Sequence, residues 1–294
     1  MRLGVALGNL GLAMGRPIDA AEHAALVYRI ADEAEQLGFH SVWAGDHLAL
    51  PRAPTTPYPY GDDAGLLPAD VSLLDPFAVL AAVAGRTERV RLGFGVAVLP
   101  YRHPLVVAKL VASIDALSNG RVILGVGTGW MPEEFAAVGA DFRARGRDTD
   151  ASLAFLRRAF ADGEVDGMTV LPIPVQRPGP PIWVGGIAPA ALRRAVTYAD
   201  GWNAPYADPA RLAAGIEGLH AECAAAGRDP ATIAVSVHGL AADDVDAALV
   251  DDYAALGVTD LGVRLPLADA DAAIDVLRDL AARCAGYVQA ADAP

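Results

Sequence analysis

Asp46-His47, Arg102-His103, Gly127-Thr128-Gly129 and Gly185-Gly186 are the points in this chain where residue type and spacing fit chemistry. A histidine beside an aspartate can hydrogen-bond a ligand or move a proton near neutral pH, and the other reading of His47 is an anchor for the loop that follows. Glycines bring backbone amides close to an oxyanion. Gly185-Gly186 also runs toward a helix start at Pro189, where phosphate is favoured, although tight strand-to-helix turns call for the same glycines. The planar fork of Arg102 suits carboxylates and phosphates, so Arg102 and His103 read either as contacts for an anionic tail or substrate, or as a rim charge paired with a neighbouring acid. Trp130 follows the glycine run and is a pocket candidate, whereas Trp43 and Trp183 lie within strands and read as core. Arg193 and Arg194 read as solvated helix surface. Absent are paired carboxylates for glycoside cleavage, a Ser-His-Asp set and any cluster with metal-ligand spacing. Such a site suits a flat, phosphate-bearing cofactor that carries the chemistry itself.

The elements that position these residues alternate from end to end. Short apolar strands are read at Leu3 to Leu7, Ser41 to Ala44, Val90 to Val98, Val122 to Val126, Ile182 to Val184, Gly201 to Asn203, Ile233 to Val237 and Asp260 to Leu265. Each is followed by apolar residues at spacings of three and four, the helix pattern. Those helices are expected at Ala20 to Leu37, Pro76 to Thr87, Pro104 to Leu117, Asp148 to Phe160, Pro189 to Tyr198, Pro209 to Ala226, Asp244 to Leu256 and Asp271 to Ala285. Asp75 before Pro76 is an N-cap with proline at the first helical position. Eight strand-helix units in this length predict an α/β fold, a closed (β/α)8 TIM barrel with insertions. A doubly wound sheet is the competitor, but Gly8-Asn-Leu-Gly11 lacks its phosphate fingerprint. Active sites of such barrels lie at the C-terminal strand ends, where the residues above fall.

At 294 residues and 53% hydrophobic content, the chain is expected to form one domain over 1–294, interrupted by a Pro- and Gly-rich insertion at about 48–74. A formal charge of −13 argues against general affinity for nucleic acid or anionic membrane. No apolar run reaches the roughly 18 residues of a membrane helix, the N-terminus reads directly as a strand, and Cys223 and Cys284 read as free buried thiols. The expectation is a cytoplasmic protein.

Taken in order, Ser41-Val-Trp-Ala-Gly-Asp-His47, Arg91 to Pro104, Leu117-Ser-Asn-Gly-Arg121, Gly125 to Trp130 with Glu133-Glu134-Phe135, Pro180-Pro-Ile-Trp-Val-Gly-Gly186 and Ala199-Asp-Gly-Trp202 resemble the luciferase-like monooxygenase superfamily, in its branch that uses the deazaflavin coenzyme F420. The resemblance covers roughly residues 1 to 285. It implies a bacterial-luciferase-like barrel whose insertion after the second strand covers the pocket. It places Asp46 and His47 beside the reactive edge of the cofactor ring, and a bulge with a non-prolyl cis peptide, supporting the ring from behind, at Gly95-Val96. Relatives that oxidise sugar phosphates carry a glutamate near Trp130, so tryptophan there speaks against that activity. The stretch from Asp162 to Val175 departs from the pattern by being short.

The resemblance therefore implies an oxidoreductase that passes a hydride between coenzyme F420 and an unidentified small organic substrate. His47 would be catalytic, with Asp46, Gly95, Val96, Gly127, Thr128, Gly129, Gly185 and Gly186 at the cofactor and Trp130, Arg102 and His103 at the substrate pocket. No metal is expected. The alternatives are an FMN-dependent monooxygenase on the same barrel, and a non-catalytic deazaflavin- or flavin-binding protein. Apolar helices after the second and third strands suggest a homodimer, as in relatives.

Overall fold

Strand and helix alternate from Arg2 onward in a computed structural model that describes residues 1–10, 18–53, 55–57, 59, 70–205, 208–267 and 269–288. The order is β1 (Arg2–Ala6), α1 (Ala20–Gln36), β2 (Ser41–Ala44), α2 (Pro76–Ala84), β3 (Arg91–Phe94), β4 (Ala97–Val98), α3 (Pro104–Leu117) and β5 (Val122–Gly127). Then come α4 (Pro132–Ala137), α5 (Arg145–Asp162), β6 (Glu164–Val165), β7 (Met168–Thr169), β8 (Ile182–Gly185), α6 (Pro189–Tyr198), β9 (Gly201–Ala204) and α7 (Pro209–Ala226). The chain continues with β10 (Ala234–Ala241), α8 (Ala247–Ala255), β11 (Asp260–Arg264) and α9 (Ala270–Arg283).

The strands pair in the order β3-β2-β1-β11-β10-β9-β8-β5, and β3 also pairs with β5, closing eight parallel strands into a barrel. Beyond β3 the chain bulges at Gly95-Val96, where the peptide is cis as expected, and rejoins β5 as β4. Side-chain caps start most of the helices. Asp19, Asp75, Asp208, Asp246 and Asp269 accept first-turn amides of α1, α2, α7, α8 and α9, relieving donors that a helix start leaves unpaired.

Two apolar layers follow from the strand alternation. Residues pointing outward, such as Val42, Leu92, Phe94, Leu124 and Val184, join the helices in the main core. Inside the barrel, Trp43, Ile123 and Trp183 form a cluster of their own, with the two indoles 5.3 Å apart. Burying an aromatic side chain of this size stabilises by roughly 4–6 kcal/mol on area grounds. Glycines directly paired with the two tryptophans on the neighbouring strands make the space. A Cβ on Gly93 would sit 2.2 Å from Trp43, and one on Gly201 2.5 Å from Trp183. Trp43 and Trp183 are therefore core, as their strand positions predict.

Arg121 locks the barrel wall to α2. Buried to 3% exposure, it donates to the carbonyls of Ala84, Thr87, Val90 and Ser118 and to Thr87 Oγ1. A cation at the carbonyl end of a helix is favoured by the helix dipole.

Several boundaries differ from the sequence reading. The second helix stops at Ala84, ahead of Gly85, short of Thr87, and the seventh barrel strand extends to Ala241 through a register shift between His238 and Leu240. The irregular stretch after β5 contains the short helix α4, and the 162–175 segment contains the small antiparallel pair β6-β7. Cys223 and Cys284 are free and buried.

Candidate active site

At the C-terminal mouth of the barrel the inward positions change character. Where lower layers carry tryptophans, the strand ends carry Gly45, Gly95, Gly127 and Gly185, so bare backbone lines the rim. A Cβ on Gly95 would meet nothing nearer than 3.6 Å, whereas Gly127 and Gly185 already face the Val96 side chain, at 2.7 and 3.2 Å from a hypothetical Cβ. Val96 thus packs across two neighbouring strand ends, and a Cβ on Gly95 would be in ordinary contact with Trp43 and His238. Gly129 has φ +76°, and a Cβ there would lie 2.7 Å from Phe135. Gly186 has φ +120°, a conformation that excludes other residue types in practice.

His47 stands at this mouth on the first turn after β2. Its Nδ1 is 2.7 Å from Glu134 Oε2, and its ring meets Trp130 edge-on at 5.8 Å. Glu134 is buried on α4, and its other donors are Tyr101 Oη at 2.9 Å and the amides of Leu48 and Ala49 at 2.7 and 3.3 Å. Burial pushes this carboxyl up, but the hydrogen bond and charge of His47, the Leu48 amide and the Tyr101 hydroxyl outweigh it and hold Glu134 below its ordinary value. Burial, and then the charge of Glu134, pushes Tyr101 up, so its hydroxyl stays protonated and donates. An ionised Glu134 accepts Nδ1–H of His47 and leaves Nε2 as the acceptor, because a neutral imidazole has one of each. His47 Nε2 has no partner among the described residues.

The neighbouring residues hold this pair in place. Asp46 is buried and takes Arg102 through two contacts, 2.6 and 3.0 Å, together with the Val98 amide at 2.9 Å. Arg102 also donates to Asp75, the cap of α2, at 2.7 Å. Burial works against the charge on Arg102, but the two acids outweigh it and hold the guanidinium above its ordinary value. Of the two readings open for Arg102, pairing with a neighbouring acid is the one observed. His103 accepts the Leu105 amide and caps α3 on the exposed rim. The structure thus sets Asp46 and Arg102 under the site as a brace. Arg194, expected on solvated surface, is instead buried against Asp150 at 2.6 Å, because that face of α6 packs on α5; Arg193 stays exposed.

The insertion after β2 is fastened at three places. Glu134 holds Leu48 and Ala49, while Glu133 accepts Thr55 Oγ1 at 2.8 Å and Thr56 Oγ1 at 3.2 Å. At its far end Asn9 bonds the carbonyls of Gly45 and Leu74, both at 2.8 Å. Residues 54, 58 and 60–69 of the insertion lie outside the described residues. The sequence reading quoted Glu133-Glu134 but gave neither a role. The signal was two acids in the first turn of a short helix after a glycine run, whose targets lie some eighty residues away.

α6 follows Gly185-Gly186 and starts without a side-chain cap, unlike most of the longer helices. Its first-turn amides are of the type that suits an oxyanion. Among the described residues no group of three His, Cys, Asp or Glu is placed to hold a metal ion, and no helix is long and apolar enough to cross a membrane.

A profile of the luciferase-like monooxygenase family matches residues 1–283. This chain belongs to that family. An uncharacterised protein of Mycobacterium tuberculosis is 34% identical over 252 residues, covering 81% of this chain and 84% of the relative. An F420-dependent hydroxymycolic acid dehydrogenase of the same organism is 32% identical over 245 residues, covering 79% and 61%. Among solved structures, the monooxygenase RslO1 from Streptomyces bottropensis superposes with a TM-score of 0.79 at 22% identity, covering 98% of this chain and 100% of that one. An F420-dependent secondary alcohol dehydrogenase, in complex with an F420-acetone adduct, gives 0.72 at 16% identity over 96% and 98%. At these identities the structural likeness shows the luciferase-like barrel fold. Family and relatives together make the protein an enzyme of the oxidoreductase class.

Proposed function

We propose that this luciferase-like enzyme transfers a hydride between coenzyme F420 and a small organic substrate, with His47 as the proton-handling residue. The observation that carries the reading is the His47–Glu134 pair at 2.7 Å beside a rim of bare backbone. That rim fits the group: Gly127 and Gly185 make room for the Val96 side chain, which lies across the strand ends as an apolar seat for a flat ring. Asp46 braces the bulge from below through the Val98 amide. The Gly127-Thr128-Gly129 turn, Gly185-Gly186 and the uncapped start of α6 would hold the phosphate-bearing tail. The relative named as an F420-dependent dehydrogenase supports the choice of deazaflavin.

When bound, the deazaflavin supplies hydride acceptance or donation at C5. His47 takes up at Nε2 the proton that the substrate releases on oxidation, and returns it in the opposite direction. Glu134, fixed by Tyr101 and two loop amides, keeps Nδ1 protonated and stabilises the imidazolium that forms. Trp130, edge-on to His47, walls the substrate side. Arg102 and His103 are left out of this reading, since the first braces Asp46 and the second caps α3.

The same reading has the enzyme acting in the cytoplasm, as its two unpaired cysteines suit a reducing compartment. It also has it acting as a homodimer, with the exposed Val106 and Leu117 of α3 covered by a second copy. Light scattering tests the latter; a monomer at micromolar concentration overturns it.

The test of function is turnover. Oxidised F420 with a panel of alcohols, or reduced F420 with the matching ketones, is expected to show a deazaflavin absorbance change without oxygen uptake. Oxygen uptake with reduced FMN, and none with F420, would assign the protein to the flavin monooxygenases instead. Binding without turnover of any donor would leave a carrier protein.

A further inference from the structure

The opposite end of the barrel is also open. Beneath the Trp43–Trp183 layer, at the N-terminal strand ends, lies a cavity of about 190 Å³ lined by Arg2, His40, Arg91, Trp183 and Asp200, among others. In barrels of this kind that face is associated with stability and the opposite one with catalysis. Polar atoms at this floor are nonetheless buried without partners: Arg91 Nε, His40 Nδ1, and close by Ser236 Oγ and Asp260 Oδ1. Buried polar groups in native proteins are generally satisfied, so each unpaired one asks for an explanation.

The charges divide unevenly. Asp260 is paired with Arg2 at 2.5 Å, and Asp200 with Arg157 at 2.8 Å, its Oδ2 also accepting the Ile182 amide at 2.9 Å. Arg91 has no carboxylate within ion-pair distance among the described residues. Its Nη2 donates to Gln176 Oε1 at 2.7 Å and to the Val122 carbonyl at 3.3 Å, and Asp115 reaches it only through the Gln176 amide. Arg91 is thus a mostly buried cation whose hydrogen-bond partners are neutral, and it lines the cavity. The local field agrees with this. Burial, followed by the charges of Arg2 and Arg91, pushes His40 down to about 3, so the imidazole is neutral at ordinary pH and cannot add a positive charge there.

We propose that this floor cavity binds a small monovalent anion, chloride or a short carboxylate, between the Arg91 and Arg2 side chains, against the wall formed by Trp183. The volume holds such an ion with several waters, at about 30 Å³ of liquid volume per water. A di-anion or a larger organic acid is disfavoured by Asp200 and Asp260 at the margin. The site is at the far end of the barrel from the catalytic mouth, so its test is independent of the cofactor.

Thermal unfolding of the full chain should be followed at constant ionic strength while gluconate is replaced in turn by chloride, bromide, nitrate, formate or acetate. The expected result is a saturable rise in Tm, as for any ligand that binds only the folded state. It should be largest for the anion that fits, and absent in Arg91→Gln. Ala234→Leu provides the second variant, filling the cavity from another wall while keeping Arg91, and it too should abolish the rise. Crystals soaked in bromide should show an anomalous peak in the cavity, beside the Arg91 and Arg2 side chains. A Tm indifferent to anion identity, an equal rise in both variants, or water alone at that position would overturn the proposal.

Discussion

His47 and Glu134 lie 87 residues apart in sequence and share a 2.7 Å hydrogen bond. The same carboxylate holds Tyr101 and the first amides of the insertion, so one buried acid both orients the histidine and fastens the loop. Glu134→Gln separates these roles. The amide keeps an acceptor for the loop but lacks the charge that favours an imidazolium. Turnover is expected to fall about 10–100-fold, the range seen when a hydrogen-bond partner that orients a functional histidine is replaced. The rate–pH limb should move to lower pH, because removing a neighbouring anion makes a histidine easier to deprotonate. Cofactor affinity should stay within about threefold. An unchanged pH profile would reduce Glu134 to a loop anchor.

Replacing His47 by alanine is expected to lower turnover by about 10²–10⁴-fold, while cofactor affinity stays within about tenfold. If His47 only supports the insertion, substrate affinity and thermal stability fall together and the pH dependence of turnover stays as in wild type. Steady-state rates across pH, with a melting curve for each protein, distinguish the two.

Gly93 faces the Trp43 indole, with only 2.2 Å to an added Cβ. Gly93→Ala therefore overpacks the barrel interior and should destabilise by about 1–3 kcal/mol. Combining it with Trp43→Phe should recover part of the loss, since the smaller ring vacates the space. Urea denaturation of the single and double variants checks this; additive losses would mean that the glycine is not there for the indole.

Burial pushes His238 down to about 4, and His40 lies at about 3. Both are neutral in the folded protein, while in the unfolded chain each takes a proton near its ordinary value of 6.5. The unfolded state thus binds more protons below pH 6.5, so the stability these residues contribute is fully present above that pH and is lost as pH falls toward 4 and 3. Between pH 7 and 5, His238→Asn should flatten the decline of unfolding free energy by close to one proton's slope. A slope equal to wild type would show that His238 is protonated or exposed in the fold.

The barrel was legible because its determinants are local. Alternating apolar strands recur eight times along the chain, and aspartate caps such as Asp75 and glycines such as Gly38 punctuate several of the helices between them. Trp43 and Trp183 could be assigned to the core from their strand positions. The wiring of the site was less legible, since it depends on which loops meet. Nothing near Arg102 in sequence identifies Asp46 and Asp75 as its partners, and nothing near His47 identifies Glu134. Arg194 was misread because its ion-pair partner, Asp150, sits on the preceding helix, whose packing angle no periodicity encodes. The floor cavity escaped notice for a similar reason. Arg2, His40 and Arg91 begin or precede three different strands, and only barrel closure brings them together.

The choice of cofactor is tested most directly by titrating the purified protein with F420 and with FMN, following quenching of intrinsic tryptophan fluorescence. Trp130 at the mouth, and Trp43 and Trp183 below it, place reporters close to the proposed ring position. Saturable F420 binding is expected with a Kd of about 1 μM or tighter, near −8 kcal/mol, and FMN binding at least about tenfold weaker. FMN bound tenfold more tightly than F420, or no saturable binding of F420, would contradict the assignment.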